Sequence, residues 1–292
     1  MSRTDLRSEV TATTKANELM MQAMVDDRFY LLVEGPTDFR LFNQILPTEN
    51  WEVEFLDGKE NVAKCMASLS VGGIDRAAAV LDSDPLDPSS VAGEVFYSEL
   101  ADLDADLLAV EGMVDRIVAA NSQVRDRRIL SSTGREDWRD VVLRLVEPWT
   151  AARKHFTENP VYGVSMKDFP IHLLGDAKTV QIKQASLERL LADKSGLDPL
   201  PGDLVDALSR SGQPELEPLH NGHHLAAAIA WLLASVLSST KMNANTIEDL
   251  ARTSITPEET RKLLVLSDLS VWAHNRGCCI WRDNLCDCSF RR

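Results

Sequence analysis

Three acidic residues stand out by where they fall in the chain. Glu34 ends the apolar run of FYLLVEGPTD, and Asp82 and Asp84 close the run of AAAVLDSDP. Carboxylates brought together repel one another and cost stability unless a cation neutralises them. Mg2+ takes hard oxygen ligands, usually one or two carboxylates with waters and substrate phosphate oxygens. Asp82 and Asp84 are two residues apart, so on an extended segment they point to one side and can reach one ion. Glu34 on a neighbouring strand could share that ion, hold a second, or position an attacking water. Phosphodiester hydrolysis suits such a site, because a bound metal polarises the phosphoryl group, activates water and stabilises the leaving oxygen. Alone, a DxD reads as a solvated turn and a strand-terminal Glu-Gly means little. The weight lies in finding both after apolar runs.

Those runs read as strands that place the acids. RFYLLV predicts a first strand, WEVEFLDG (51–58) a half-buried second, and RAAAVL a third covered on both faces, as in a parallel sheet. Helices are predicted over TKANELMMQAMVD (14–26), from Thr37 or Asp38 to about Leu46, and over GKENVAKCMASL, with Thr37 or Asp38 as N-cap of the second. Strand, helix, strand, helix, strand is the α/β signature of a parallel sheet, whose ligands gather at the carboxyl ends of the strands. After Pro88 the chain reads as mainly helical. A single helix is expected over 99–121, a short β-like stretch at RRILSST, a helix from Asp137 to Glu147, and one further strand in KTVQIK. SLERLLAD, DLVDALSR and HHLAAAIAWLLASVLSS read as helices. TPEETRKLLVLSDLSVWAHNRG reads as a further helix that begins at a capping box, with Thr256 as cap, Pro257 at N1 and Glu259 at N3. This gives a domain over 1–120 and a mainly helical part over 121–292 that completes or caps it.

VEGPTD, a turn containing Asp-Gly, and LDSDP together resemble a Toprim domain, the metal-dependent fold of topoisomerases, primases and several nucleases. FYLLVEGPTDFRLF, FLDGKENV, AVLDSDP and FYSELADLDADLL resemble more closely the DUF4435 branch, allied to the Toprim nucleases of OLD-type and PARIS-type phage-defence systems. The resemblance covers roughly residues 14–115, and less specifically PLHNGHHLAAAI and the Trp272–Trp281 region. It implies a Toprim-like sheet and a Mg2+- or Mn2+-dependent nuclease with Glu34, Asp82 and Asp84 as catalytic and metal residues. It also implies a further acid after the DxD strand, which here falls on Asp104, one methylene shorter than the glutamate of that branch. Those systems pair the nuclease with an ATPase. This chain has no GxxxxGK[ST] loop, so an ATPase would be a separate partner in antiviral defence. The resemblance makes tRNA one specific substrate, beside DNA or other RNA, and leaves room for a homodimer.

Other residues carry two readings each. Lys59, just past the second strand at a helix start, suits a phosphate oxygen or an exposed helix face. Arg127 and Arg128 belong to the one arginine-rich stretch, which suits phosphate contacts or a face paired with neighbouring acids. Asp102, Asp104 and Asp106 could be ligands or the exposed side of a helix, and Asp38 reads better as a cap than as a ligand. His220, His223 and His224 in LHNGHHL read as turn and cap rather than metal ligands. Four of the five cysteines crowd the C-terminus, with a spacing unlike the usual zinc knuckles.

Composition limits the partners. The net charge is −14, with 8 basic against 23 acidic residues over 1–115 and 14 against 10 over 116–194. Such a surface repels phosphates, so a nucleic-acid role needs divalent metal, the basic middle, or a partner protein. No apolar run reaches the ~18 residues of a membrane span and no apolar leader opens the chain, which points to a cytoplasmic protein. The competing class is a non-catalytic binding or regulatory module that keeps the fold. A primase-like transferase would need a nucleotide site that the sequence does not display.

Overall fold

A computed structural model of the chain describes residues 12–83, 91–122, 127–135, 137–209, 219–237 and 241–282, the side chains of residues 127, 128 and 132 excepted. It is an α/β protein that divides into two compact units, Met1–Glu99 with Thr256–Arg292, and Leu100–Ile255.

The first unit is built on four parallel strands, β1 (Phe29–Val33), β2 (Trp51–Phe55), β3 (Ala77–Leu81) and β4 (Glu94–Tyr97), in the order β2-β1-β3-β4. All five residues of β1 and of β3 are buried, as continuous apolar runs at the centre of a parallel sheet must be. Helices α1 (Ala12–Ala23), α2 (Pro36–Ile45) and α3 (Lys59–Val71) lie around the strands. One face of the sheet, carrying Tyr30, Leu32, Ala77, Ala79 and Leu81, packs with Ala16 and Leu19 of α1 and Val62, Met66 and Leu69 of α3. The small alanines of β3 let α3 approach closely. The opposite face carries an aromatic cluster, where Trp272 lies edge-on to Phe29 at 5.7 Å and to Phe96 at 6.2 Å.

The local details depart from the sequence expectations in instructive ways. The N-cap of α2 is Gly35 rather than Thr37 or Asp38, with no side-chain cap bond, and Pro36 occupies N1, leaving Asp38 inside the first turn. Proline at N1 lacks an N–H that would be orphaned anyway, which moves the start ahead of the polar pair. β4 falls in the stretch after Pro88 that the sequence predicts as mainly helical. It is an edge strand whose Val95, Phe96 and Tyr97 pair with Ala79, Val80 and Leu81. After the capping box at Thr256 and Glu259, the chain makes a short helix, α13 (Pro257–Thr260), and then α14 (Leu264–Asn275), rather than one continuous helix.

The second unit is mainly helical. It contains α4 (Leu103–Ala109), α5 (Met113–Asn121), α6 (Arg127–Thr133), α7 (Trp138–Glu158), α8 (Ile171–Leu174), the strands β5 (Gly175–Asp176) and β6 (Gln181–Ile182), α9 (Gln184–Ser195), α10 (Gly202–Ser209), α11 (Gly222–Trp231), a π-helical turn over Leu232–Val236, and α12 (Ala244–Ser254). The single helix expected over 99–121 breaks into two at Val110, whose ψ of 132° ends α4, and α5 starts again from Gly112, whose φ of 73° is left-handed. RRILSST forms α6, not a strand, and KTVQIK contributes only the two residues of β6. Helix α7 runs on through Pro148 to Glu158, because Trp149, Ala152 and Phe156 continue its buried stripe and that burial outweighs the hydrogen bond a helical proline removes. Among the described residues no helix is long and apolar enough to cross a membrane.

Candidate metal centre

The register fixes where the sequence-predicted acids emerge. β1 and β3 are neighbours, with Val33 opposite Val80. Glu34 and Asp82 therefore leave the same, carboxyl edge of the sheet on adjacent strands. By strand alternation Glu34 continues the Tyr30–Leu32 face and Asp82 the Ala78–Val80 face, so the two acids reach the edge from its two sides. They are tied together directly. The backbone N–H of Asp82 donates to Glu34 Oε1 at 2.9 Å. One glutamate oxygen thus substitutes for a ladder carbonyl at the point where β3 ends.

The neighbouring loop is also fastened to this edge. Gly58 N–H donates to the Glu34 carbonyl at 3.0 Å, and Leu56 N–H to the Val33 carbonyl at 3.2 Å. Asp57 at φ 51° and Gly58 at φ 112° make the sharp reversal that starts α3 directly over the edge. The φ of 112° at position 58 is open to glycine and strained for other residues. Lys59 is the first residue of α3, and its ammonium lies 5.9 Å from the centroid of the Tyr97 ring at the end of β4. Lysine therefore brings a cation to the carboxyl edge occupied by Glu34 and Asp82. Asp84 lies outside the described residues.

Residue Ser98, which the sequence reading passed over, belongs to the same edge. Its Oγ accepts from Ser83 N–H at 2.8 Å, and its own N–H donates to the Leu81 carbonyl at 3.1 Å. The β-branched and aromatic trio Val95-Phe96-Tyr97 was the signal that could have located this strand.

The donor set at this edge, two carboxylates from adjacent strand ends, is of the hard-oxygen type that suits Mg2+ or Mn2+. Among the described residues no group of three or more acidic, histidine or cysteine side chains is gathered for a metal. Mg2+ with one or two protein carboxylates completes its shell with waters and phosphate oxygens.

The acids of the second unit are committed to structure. Asp102 is the N-cap of α4, accepting from Ala105 N–H at 2.8 Å. It also accepts from Asn221 Nδ2 at 2.6 Å and from Gly222 N–H at 3.0 Å, joining α4 to the start of α11. Burial pushes its carboxyl pKa up, against the pull of the Ala105 and Gly222 N–H groups. Asp104 is ion-paired to the buried Arg252 of α12. Asp106 is itself buried and accepts from Leu100 N–H at 2.8 Å. The exposed-face reading does not describe Asp102 and Asp106, which are half-buried and buried. Arg127 and Arg128 lie on the backbone of α6, with side chains outside the described residues.

The histidines resolve into distinct roles. Asn221 caps α11 through His224 N–H, so the expected capped turn is present, though the cap is asparagine. His224, 1% exposed, places Nε2 at 2.8 Å from the Lys167 carbonyl, and burial lowers its pKa to about 4. It is a neutral donor to that carbonyl near pH 7. His223 pairs through Nδ1 with Glu248 Oε1 at 2.8 Å, and that bond raises its pKa. Cys65 and Cys278 are buried, with thiols pushed up to about 11 and about 12, so neither is a reactive thiolate. Cys286 and Cys288 lie outside the described residues.

No family model matches this chain, and no curated protein matches it.

Proposed function

We propose that this protein is a metal-dependent phosphodiesterase acting on nucleic acid, with Glu34 and Asp82, joined by Asp84, as the residues that hold Mg2+ or Mn2+. The observation that carries the reading is the direct link from Asp82 N–H to Glu34 Oε1 across two adjacent parallel strand ends. Such edges are where parallel sheets bind ligands. The bond ties the two strand ends that carry these acids, through the Asp82 backbone and one Glu34 oxygen. A divalent cation bound there supplies Lewis acidity toward a phosphoryl oxygen and a water acidic enough to attack near neutral pH. Lys59 would hold a non-bridging phosphate oxygen as a point charge, and Glu34 would orient or accept a proton from the attacking water. The acidic surface of the first hundred residues favours delivery of substrate by a partner, and an ATPase of a defence system is the partner the Toprim resemblance suggests. On the same resemblance Asp104 would be a further ligand; its carboxylate is ion-paired with Arg252.

The test is cleavage of labelled total tRNA and of plasmid DNA with Mg2+ or Mn2+, alone and with any ATPase encoded beside it. Metal-dependent cleavage that disappears in both Glu34→Ala and Asp82→Ala supports the reading and identifies the nucleic acid. Absence of cleavage in every combination favours a non-catalytic module that keeps the fold.

A further inference from the structure

We infer that Ser98 is a positioning residue for this centre, holding the Asp82–Ser83 backbone in the geometry that binds a cation; the inference rests on the metal reading of Glu34 and Asp82. β3 stops at Leu81, yet the next two backbone N–H groups are both received by side chains on flanking strands. Asp82 N–H goes to Glu34 Oε1 at 2.9 Å on the β1 side. Ser83 N–H goes to Ser98 Oγ at 2.8 Å on the β4 side. Ser98 returns its own N–H to the Leu81 carbonyl at 3.1 Å, so it grips the chain on both sides of Asp82. Two side-chain oxygens thus extend the ladder one step beyond the strands and clamp Asp82 between them.

Burial sets Ser98 apart from its neighbours. It is 4% exposed at the end of an edge strand, whereas Tyr97 is 40% exposed and Glu99 is also exposed. A buried hydroxyl at such a place needs hydrogen bonds, and the bond it accepts immobilises the backbone next to a proposed ligand. Ser83 itself is only half-buried, so water can satisfy its N–H when Ser98 is truncated. The unit then keeps its fold while the Asp82 backbone gains freedom. Groups that hold a ligand in place typically contribute 10- to 100-fold to metal affinity.

The experiment measures Mn2+ affinity from the free-ion paramagnetic resonance signal, well below the melting temperature, for the full chain and four variants. The account expects Ser98→Ala to bind about 10- to 100-fold more weakly, Ser98→Thr to restore most of that loss, and Glu34→Gln to bind weakest. Leu69→Ala, a core truncation in α3, controls for stability: it lowers the melting temperature and leaves Mn2+ affinity unchanged. Wild-type affinity in Ser98→Ala alongside weak Glu34→Gln overturns the role of Ser98 and leaves the metal reading standing. Equal weakening of Ser98→Ala and Leu69→Ala, or failure of threonine to restore binding, also overturns it. No Mn2+ binding by the unaltered protein removes both.

Discussion

Replacing His224 by glutamine should flatten the acid sensitivity of the helical unit. His224 is buried against Trp149 and Phe169, with ring centroids at 6.3 and 5.9 Å, and Nε2–H donates to the Lys167 carbonyl. Its pKa falls from the ordinary 6.5 to about 4, chiefly through desolvation, with the Arg153 and His223 charges adding to the effect. The unfolded chain therefore binds a proton near pH 6.5 that the folded unit refuses until about pH 4. Stability from the neutral ring is fully present above pH 6.5 and is lost as pH falls toward 4. Between pH 7 and pH 5 the linkage relation gives a loss of about 2 kcal/mol. Glutamine keeps an amide donor for Lys167 but does not titrate. Urea denaturation at pH 7 and pH 5 should show wild type losing about 2 kcal/mol more than His224→Gln. Equal losses in the two proteins, or an imidazole titration near 6.5 by NMR, would refute the reasoning.

Three further outcomes follow from the same contacts. A Cβ at position 222 would overlap Asp102 Oδ1 and the Cβ of Asp104 and come within 2.5 Å of Ala105 N, so Gly222→Ala should cost about 2–3 kcal/mol by overpacking, measured by chemical denaturation. Glu248→Gln should lower the pKa of His223, since the Glu248 bond is the main cause of its elevation; an NMR titration reads this directly. The pair stabilises most below the ordinary pKa and loses that contribution as pH rises through the folded one, and with His223 about half exposed the effect stays near ~0.5 kcal/mol. Lys59→Ala should slow cleavage without altering Mn2+ affinity if Lys59 contacts phosphate, which parallel cleavage and binding titrations separate.

The sheet and its acidic edge were legible because continuous apolar runs ending in carboxylates mark buried parallel strands locally. The tie between Glu34 and Asp82 was not legible, since it depends on which strands become neighbours. β4 was hidden because EVFY is short and only partly buried, and its identity comes from pairing with β3. Periodicity over 99–121 runs straight through Val110 to Gly112, where an extended ψ ends one helix and a left-handed φ precedes the next. Asp102, Asp104 and Asp106 looked like surplus ligands because charge on a predicted helix carries no sign of its partner. Their partners, Gly222 and Asn221, Arg252, and Leu100, lie up to 148 residues away.

The most direct test of the central claim is a calorimetric Mn2+ titration of wild type, Glu34→Gln and Asp82→Asn. Glutamine at 34 retains an oxygen for Asp82 N–H while removing the charge, so it separates metal binding from scaffolding. The account predicts saturable Mn2+ binding in wild type that both variants lose, with melting temperatures close to wild type. Binding that survives in either variant would contradict the assignment of that residue as a ligand, and heat-silent titration of all three would contradict the metal centre itself.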